Sequence, residues 1–287
     1  MNGIAATGIA IGPERLTCED DAVTSVLDRP MSRRSADPWP ATAVVGVVVG
    51  WISVVLLVDS SASLPVQRVL GVVTWGVLVA LLARESPLVR VQTAVVVAFA
   101  SAVEYTFSPL LEVYVYRFEN VPAYVPPGHG LVYLAALAIG RTVFVRTHSR
   151  LCTVAVLAGL GVYATVGVTL SGRPDALGAF WFLCLAGFLV WGPSQGLYVG
   201  AAVIVTYLEI VGTTLGTWEW QTTDPTGLVS IGNPPSGAAG GYGWFDLAAL
   251  LCAPSLLAAW YRLRPRARAR SQPPDATREP GSVPNAG

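Results

Sequence analysis

The sequence predicts an all-α protein, a polytopic membrane bundle of about eight transmembrane helices. Of its 287 residues, 53% are hydrophobic and only 13% are charged, and the mean hydropathy is +0.56. A soluble domain usually carries about 25% charged residues, so lipid must solvate most of this surface. Apolar runs of about 17–25 residues, the length that spans a bilayer, recur along the middle of the chain. Two of these runs also open with the same motif.

Eight apolar runs are candidates for transmembrane helices. In chain order they are Ala41–Asp59, Val69–Ala83, Val91–Phe107, Gly130–Val145, Leu151–Leu170, Ala176–Val190, Gly196–Leu215 and Tyr242–Trp260. The second and sixth runs are short. Arg68 and Arg84 bracket the second run, so their side chains would have to extend toward the lipid headgroups. The sequence is compatible with seven or eight spans, and we take eight.

The distribution of arginine predicts the orientation. All eighteen basic residues are arginine. With eight spans, Arg68, Arg117 and Arg173 lie on one side and the other fifteen lie on the side of the two termini. By the positive-inside rule, both termini are cytoplasmic and the protein belongs to the cell membrane. The long loops Ser108–Gly128 and Gly216–Gly241 then face outside.

The same pattern divides the chain into three parts. We expect a disordered cytoplasmic tail over residues 1–40, a transmembrane domain over 41–262, and a disordered basic cytoplasmic tail over 263–287. Met31 is an alternative start to Met1. The arginines after the last span fix topology and are placed to contact anionic lipid. Nothing else in the sequence supports a nucleic-acid partner.

A duplication is indicated by a motif that occurs twice. Aligned on Gly128 and Gly241, the two copies share Gly-x-Gly-x-x-x-Leu-Ala-Ala-Leu. A Leu-Gly pair, an Ala-Val-x-Val stretch, a glutamate, an aromatic-x-aromatic pair and a Pro-Pro pair precede both copies in the same order. We predict two parallel four-helix repeats, about 41–146 and 151–262. They would be related by a pseudo-two-fold axis along the membrane normal, because an even number of spans keeps the orientation of a repeat.

Glu104 and Glu209 occupy equivalent places near the outer ends of the third and seventh spans. A charged residue at the centre of a span costs about 2.5–3.5 kcal/mol, and such residues usually face the bundle interior and serve function. In a shared, poorly hydrated cavity, one of the two carboxyls could act as an acid. The alternative is that both lie at headgroup level, bonded to a neighbouring hydroxyl such as that of Thr106 or Thr213.

The two copies of the motif differ in their polar residues. His129 and Tyr133 of the first copy stand opposite Tyr242 and Asp246 of the second. We predict catalytic roles for His129, as a proton shuttle near Glu104, and for Asp246. The alternatives are that His129 is a helix-start residue in water, and that Asp246 only stabilises a helix N-terminus, where free N–H groups and the dipole favour an anion. The outer half contains one histidine and no second candidate ligand, so we predict no metal site, and the absence of nucleotide-binding motifs implies no cofactor.

Two aromatic pairs are candidates for binding substrate. They are Tyr114-x-Tyr116 and Trp218-x-Trp220, one in each outer loop. Aromatic belts at the membrane interface are the alternative explanation. In a pocket, the electron-rich ring faces would stabilise a developing carbocation.

The stretch "EIVGTTLGTWEW", followed by "IGNPP", resembles the membrane carotenoid hydratases of the bacterioruberin and spirilloxanthin routes. The matching residues are Glu209, Gly212, Gly216, Trp218, Trp220, Gly232 and Pro234. The resemblance covers about 30 residues, and the glycine-rich insertion and the extended loop around Tyr114 depart from that family. The resemblance implies an acid-initiated reaction on a polyene buried in the bilayer.

We therefore expect an enzyme that does acid/base chemistry on an isoprenoid or other lipid in the outer half of the bilayer. The reaction would be a hydration, a cyclisation or an isomerisation. A small-solute or proton-coupled transporter is an alternative, because parallel repeats and intramembrane carboxylates are equally expected there. A non-catalytic membrane assembly protein is another. The concentration of polar residues at one membrane face favours the enzyme.

Overall fold

The computed structural model describes residues 38–263, in which the regular structure is helical apart from two three-residue strands. The helices are α1 (Ala41–Asp59), α2 (Leu64–Leu82), α3 (Pro87–Tyr105), α4 (Val125–Arg141), α5 (Val143–Thr147), α6 (Ser149–Thr169), α7 (Ala176–Trp191), α8 (Gln195–Thr214) and α9 (Ala238–Leu263). A π-helix (Thr106–Leu110) continues α3, and the strands are β1 (Tyr114–Tyr116) and β2 (Trp218–Trp220). Apart from residues 38–40 and Leu263, the two predicted tails lie outside the described residues, as does Met31.

Six of these helices are long and apolar enough to cross a membrane: α1, α2, α3 with its π-helical extension, α6, α8 and α9. Helix α7 is apolar but shorter. Helix α4 has 17 residues, of which eleven are buried. A helix enclosed by its neighbours meets little lipid, so its composition is not that of a lipid-facing helix. The predicted all-α class and the membrane-embedded character are confirmed, whereas the count of eight spans stays a prediction.

Six of the helices begin before their predicted spans, among them the two that carry the repeated motif. Helix α4 begins at Val125 instead of Gly130, because Pro126-Pro127 occupies its first turn, where a missing N–H costs no helical hydrogen bond. Helix α9 begins at Ala238, four residues before the predicted start. Asp246 consequently lies about two turns inside the helix and not near its N-terminus.

Four helices, α3, α4, α8 and α9, form a closed ring. Both α4 and α9 pack against α3 and α8, so α4 and α9 face each other across the interior. Small residues allow close approach: Gly200 lies directly on the carbonyl of Ala136, and a Cβ on Gly196 would be 3.1 Å from the carbonyl oxygen of Gly140. Contacts of this kind are typical of helix packing in membranes. The ring interior is therefore enclosed by two helices from each half of the chain.

The other long helices surround this ring. Helix α1 packs against α4, α8 and α2, and α2 packs against α4. On the opposite side α7 packs against α9 and α8, and α6 packs against α7 and α8. Helices α1 and α6 begin the two predicted repeats but take different positions. Helix α1 covers the ring, whereas α6 lies outside α7, and Ala164 is its one buried residue.

The two long loops meet in a short antiparallel ladder. It pairs Tyr114 with Trp220 and Tyr116 with Trp218. The ladder lies over the end of the bundle at which α3 and α8 end. Both aromatic pairs are thereby held above the ring interior.

Two of the three arginines predicted to lie outside fasten these loops. The Arg117 guanidinium donates to the carbonyl of Ala62, which precedes α2. The Arg173 guanidinium donates to the carbonyl of Trp220 and, at 2.7 Å from Nε, to that of Ile231. Each arginine therefore ties an outer loop to a distant part of the chain at the same end of the bundle.

Candidate functional site

Glu104, in the last turn of α3, is 7% exposed. Its Oε2 accepts hydrogen bonds from the Tyr114 and Tyr116 hydroxyls, each at 2.9 Å, and its Oε1 is 2.8 Å from His129 Nε2. Burial raises the pKa of both tyrosine hydroxyls well above its ordinary value, and Glu104 raises it further. Both phenols therefore stay protonated as donors. With Nε2 protonated, His129 is a third donor to the same carboxylate.

Glu209, in the last two turns of α8, is 4% exposed. Its Oε2 accepts hydrogen bonds from the indole N–H groups of Trp218, at 3.2 Å, and Trp220, at 3.1 Å. No cation pairs with it among residues 38–263, and its Oε1 makes no hydrogen bond with any of them. Glu209 thus has fewer and weaker donors than Glu104.

The ladder carries the four aromatic rings as one set. Residues two apart in a strand point to the same face, so both tyrosines and both tryptophans cover the carboxylates. The ring centroids of Tyr114 and Trp220 are 4.5 Å apart, and those of Tyr116 and Trp218 are 6.1 Å apart. Glu219, between the two tryptophans, points to the opposite face and is exposed. One aromatic surface therefore supplies four hydrogen-bond donors to two carboxyls.

The threonines near the glutamates take no part in this arrangement. Thr106 Oγ1 donates to the carbonyl of Ala102, and Thr213 Oγ1 donates to the backbone carbonyl of Glu209, each at 2.7 Å. Both carboxylates are instead buried beneath the ladder. The alternative in which hydroxyls hold them at headgroup level does not fit this geometry.

Two glycines bring Trp218 over Glu209. The Trp218 ring lies directly on Gly212, in space that any side chain there would occupy. Gly216 has φ +66°, a left-handed conformation that favours glycine, at the point where the chain leaves α8 for β2. Both glycines lie in the stretch that joins Glu209 to Trp218. The glycine pattern of that stretch therefore has a local purpose, which is to place the aromatic pair over the carboxyl.

An apolar cavity of about 290 Å³ lies beneath the ladder. Both glutamates, His129 and all four ladder aromatics line it. Most of the other lining side chains are aliphatic or aromatic, from Ile52 and Val55 of α1 to Phe99 of α3 and Phe245 of α9. Small-molecule sites usually have volumes of about 300–1,000 Å³. This cavity suits a small apolar group better than a hydrated solute.

His129 forms one wall of the cavity. It is 4% exposed, in the first turn of α4, and its Nδ1 is buried without a hydrogen-bond partner among the described residues. Its ring stacks on Tyr242, with centroids 5.0 Å apart and planes 29° apart. A helix-start role in water does not fit this burial. The sequence indicated Tyr242 only as the counterpart of His129, and the structure adds it to the site.

Asp246 lies apart from the other seven predicted site residues. It is 4% exposed, one turn beyond Tyr242 in α9, and it does not line the cavity. It interacts electrostatically with Tyr133 and Tyr198, whose buried hydroxyls have no hydrogen-bond partner among residues 38–263. We predicted catalytic roles for both His129 and Asp246, but the second-half residue beside His129 in the cavity is Tyr242. Asp246 is one turn further along α9, and it lies beyond the cavity that Tyr242 lines.

Two buried aspartates that were not predicted from the sequence as site residues hold the loops that lead into α4 and α9. Asp59 accepts a hydrogen bond from the Tyr124 hydroxyl at 2.9 Å. Asp175 accepts hydrogen bonds from the backbone N–H groups of Gly232, at 2.8 Å, and Ser236, at 2.7 Å. The feature of the sequence that could have indicated both residues is a carboxylate at the edge of an apolar run. Their role is to position the loops that carry the ladder.

Fold and site together define a membrane-embedded helical protein with two buried carboxyls under an aromatic ladder. Within residues 38–263, no group of three or more histidine, cysteine or acidic side chains is arranged to hold a metal ion. The chain matches no known protein family, no curated protein and no solved structure. The site itself is therefore the basis for a function.

Proposed function

We propose that this protein is an integral membrane enzyme that performs acid/base chemistry on a carbon–carbon double bond of an isoprenoid or other apolar lipid. One observation carries the proposal. Two buried carboxyls with different hydrogen-bond donors line the same apolar, aromatic cavity. An apolar cavity with a few convergent polar groups is the usual form of a small-molecule site. The chemistry of those groups is proton transfer.

Glu209 is the proton donor in this proposal. Its hydrogen bonds come from two uncharged indole groups, and no cation contacts it among the described residues. A buried carboxylate without a cation is costly, and a proton removes that cost. Because Glu209 lines the cavity, a proton on Oε1 is available to a bound double bond.

Glu104 and His129 form the proton acceptor. The imidazole lies 2.8 Å from Oε1, and two phenols donate to Oε2. Hydrogen bonds to a carboxylate are roughly twice as strong as those between neutral groups. This set of donors therefore holds a charged carboxylate that can take a proton from water or from substrate.

The reaction starts when Glu209 transfers its proton to one carbon of the double bond. The π electrons form the new C–H bond, and the other carbon becomes a cation. The faces of the ladder aromatics and of Tyr242 stabilise such a cation. Removal of a neighbouring proton by Glu104 gives an isomerised alkene. Attack by water, with loss of its proton to Glu104 and His129, gives an alcohol.

Hydration is the outcome that the resemblance to carotenoid hydratases favours. The water adds across the double bond, and a proton transfer from Glu104 back to Glu209 restores the starting state. The resembling residues are the ones that build the donor half of the site, namely Glu209, Gly212, Trp218 and Trp220. An acyclic carotenoid is therefore the first substrate to test.

The architecture proposed for this enzyme is two parallel four-helix repeats with both termini cytoplasmic. Support comes from matched contacts: α3 packs on α9 as α8 packs on α4, and the ladder pairs β1 with β2. His129 also stacks on its counterpart Tyr242, as residues beside a two-fold axis would. Reporter fusions within residues 108–128 and 216–241 should report an external location. A cytoplasmic signal from either loop would exclude this topology.

A second candidate, proton-coupled transport, is favoured by one observation. Beyond the cavity, buried polar groups continue into the ring interior at Asp246, Tyr133 and Tyr198. Chains of such residues serve as proton relays in transporters. Proton uptake into sealed vesicles by the purified protein, without any chemical change in an added isoprenoid, would support transport over catalysis.

The test of the enzyme is turnover in a bilayer. The full chain in nanodiscs is supplied with an acyclic carotenoid in ¹⁸O-labelled water, and products are analysed by mass spectrometry. We expect an alcohol that carries the label. Glu209→Gln keeps the shape of the side chain but removes the proton, so the rate should fall by about 10²–10⁴-fold, the usual effect of losing a general acid.

Glu219→Gln is the matched control. It makes the same chemical change one residue from each tryptophan of β2, but on the exposed face of the strand. Its rate should equal that of the wild type. Equal rates for Glu209→Gln and Glu219→Gln would contradict the proposed role of Glu209.

A further inference from the structure

The cavity extends to the surface of the bundle beside α9. Phe99 of α3 and Trp244 of α9 both line it, and they are 40% and 48% exposed. Both helices are long and apolar enough to cross a membrane, so this surface faces lipid. Val103 and Gly241, one turn from Phe99 and Trp244 in the same two helices, also line the cavity. We name these four residues the α3–α9 groove.

In the first half of the chain, the surface that corresponds to the α3–α9 groove is covered by another helix. Counting back from the two glutamates, Phe99 corresponds to Ile204, which is 1% exposed. In the aligned glycine motifs, Trp244 corresponds to Leu131, which is 0% exposed. Helix α1 packs on α4 and α8 there, whereas α6 packs on α7 and α8. The two halves therefore differ in whether their own chain covers the cavity.

The residues that cover the cavity in the first half indicate which kind of ligand could bind in the α3–α9 groove. In the first half the cover is an apolar helix, of which Ile52 and Val55 reach the cavity. The α3–α9 groove has the same character, because all four of its residues are uncharged and apolar. The one polar side-chain group of these four residues is the Trp244 indole N–H, and none of them carries a charge that would bind a lipid headgroup. An extended hydrocarbon chain is the ligand that matches it.

The size of the cavity leads to the same class of ligand. About 290 Å³ is at the lower limit for a small-molecule site. It accommodates one end of a long isoprenoid but not the whole molecule. The rest of such a molecule must lie elsewhere, and the α3–α9 groove is continuous with the cavity.

We propose that the substrate is a long, linear hydrocarbon chain that enters sideways from the bilayer through the α3–α9 groove. Its terminal unit lies between Glu104 and Glu209, and the following units lie along Phe99 and Trp244. This inference rests on the proposed function and specifies its substrate class. Compact ring lipids and headgroup-bearing phospholipids are excluded from the site.

Two photoreactive probes test this placement. Both probes are linear polyprenyl hydrocarbons with one unmodified end. The near-end probe carries a diazirine close to that end, and the far-end probe carries a diazirine at the opposite end. After irradiation of the full chain in nanodiscs, the near-end probe should label peptides of β1 and β2. The far-end probe should label Phe99 and Trp244. Far-end labelling spread over α2 and α6 in proportion to their exposure would overturn the proposal.

Gly241→Leu narrows the passage without a backbone clash, because a Cβ there would be 3.4 Å from the Trp181 ring. It should reduce labelling by both probes at least several-fold. The control is Gly76→Leu on α2, whose glycine has nothing within 4 Å and does not line the cavity. Equal labelling of the two variants would contradict entry through the groove.

Labelling separates this inference from the proposed chemistry. Glu209→Gln should be labelled as strongly as the wild type, since the chain binds without reacting. Labelling of the groove in a wild-type protein that shows no turnover would support the binding site and contradict the catalytic proposal. Turnover without labelling in the groove would remove the inference alone.

Discussion

The two halves of the molecule each present one carboxyl to the cavity but surround it with different donors. Glu104 receives two phenol O–H groups and an imidazole, and Glu209 receives two indole N–H groups. Indole donates a hydrogen bond but does not exchange protons as imidazole does. In the proposed mechanism, similar backbone positions therefore provide one group that accepts and moves a proton and one that holds and releases it. The difference lies in the aromatic residues of two three-residue strands and in His129 of α4.

Loss of the acceptor should have the largest effect. Glu104→Gln removes the charge that Tyr114, Tyr116 and His129 hold, so the rate should fall by about 10²–10⁴-fold, as for other general bases. The protein should still insert and elute as the wild type in size-exclusion chromatography. A loss of only a few-fold in turnover, with a normal elution profile, would make Glu104 a structural residue.

Removal of single donors should distinguish the two halves. A hydrogen bond to a charged group contributes about 1.5–3 kcal/mol, and one between neutral groups about 0.5–1.5 kcal/mol. Tyr116→Phe should therefore reduce the rate by roughly 10–100-fold, and Trp220→Phe by less than roughly 10-fold, because 1.4 kcal/mol corresponds to a factor of 10. Measured rates in the reverse order would assign the charge to Glu209.

The close contact between Gly212 and the Trp218 ring should affect the thermal stability of the protein. Gly212→Ala places a methyl group in the space of the indole ring, and overpacking of this kind costs about 1–3 kcal/mol. Gly76→Ala is the control, since its side chain meets nothing within 4 Å and the helix gains up to about 1 kcal/mol. Thermal unfolding in detergent should give a lower midpoint for Gly212→Ala. A midpoint at or above that of Gly76→Ala would mean that the ring does not rest on the helix.

Much of the site was predictable because its residues contrast with their surroundings. A glutamate near the end of an apolar run, as at Glu104 and Glu209, is costly and therefore conspicuous. The aromatic pairs were recognisable by their period of two, which is that of a strand. The pairing itself joins Tyr114 to Trp220, which are 106 residues apart in the sequence. No local pattern specifies a contact of that kind.

The depth of Asp246 and the position of α6 were not predictable for a different reason. Asp246 was expected near a helix start, but the small residues before Tyr242 extend α9 to Ala238, where Gly240 packs against the carbonyl of Trp181. The position of α6 depends on tertiary packing, because its apolar face could cover α9 as well as α7. Sequence periodicity gives the face of a helix but not its partner.

The central claim is that the two carboxyls differ in protonation, and infrared spectroscopy tests this most directly. A protonated carboxyl has a C=O stretching band that a carboxylate lacks. In the nanodisc-embedded protein at neutral pH, Glu209→Gln should remove such a band and Glu104→Gln should leave it unchanged. Asp246→Asn identifies any contribution from the carboxyl of Asp246, which is also buried. A band that survives Glu209→Gln in the Asp246→Asn background, or disappears in Glu104→Gln, would contradict the division of roles between the two halves.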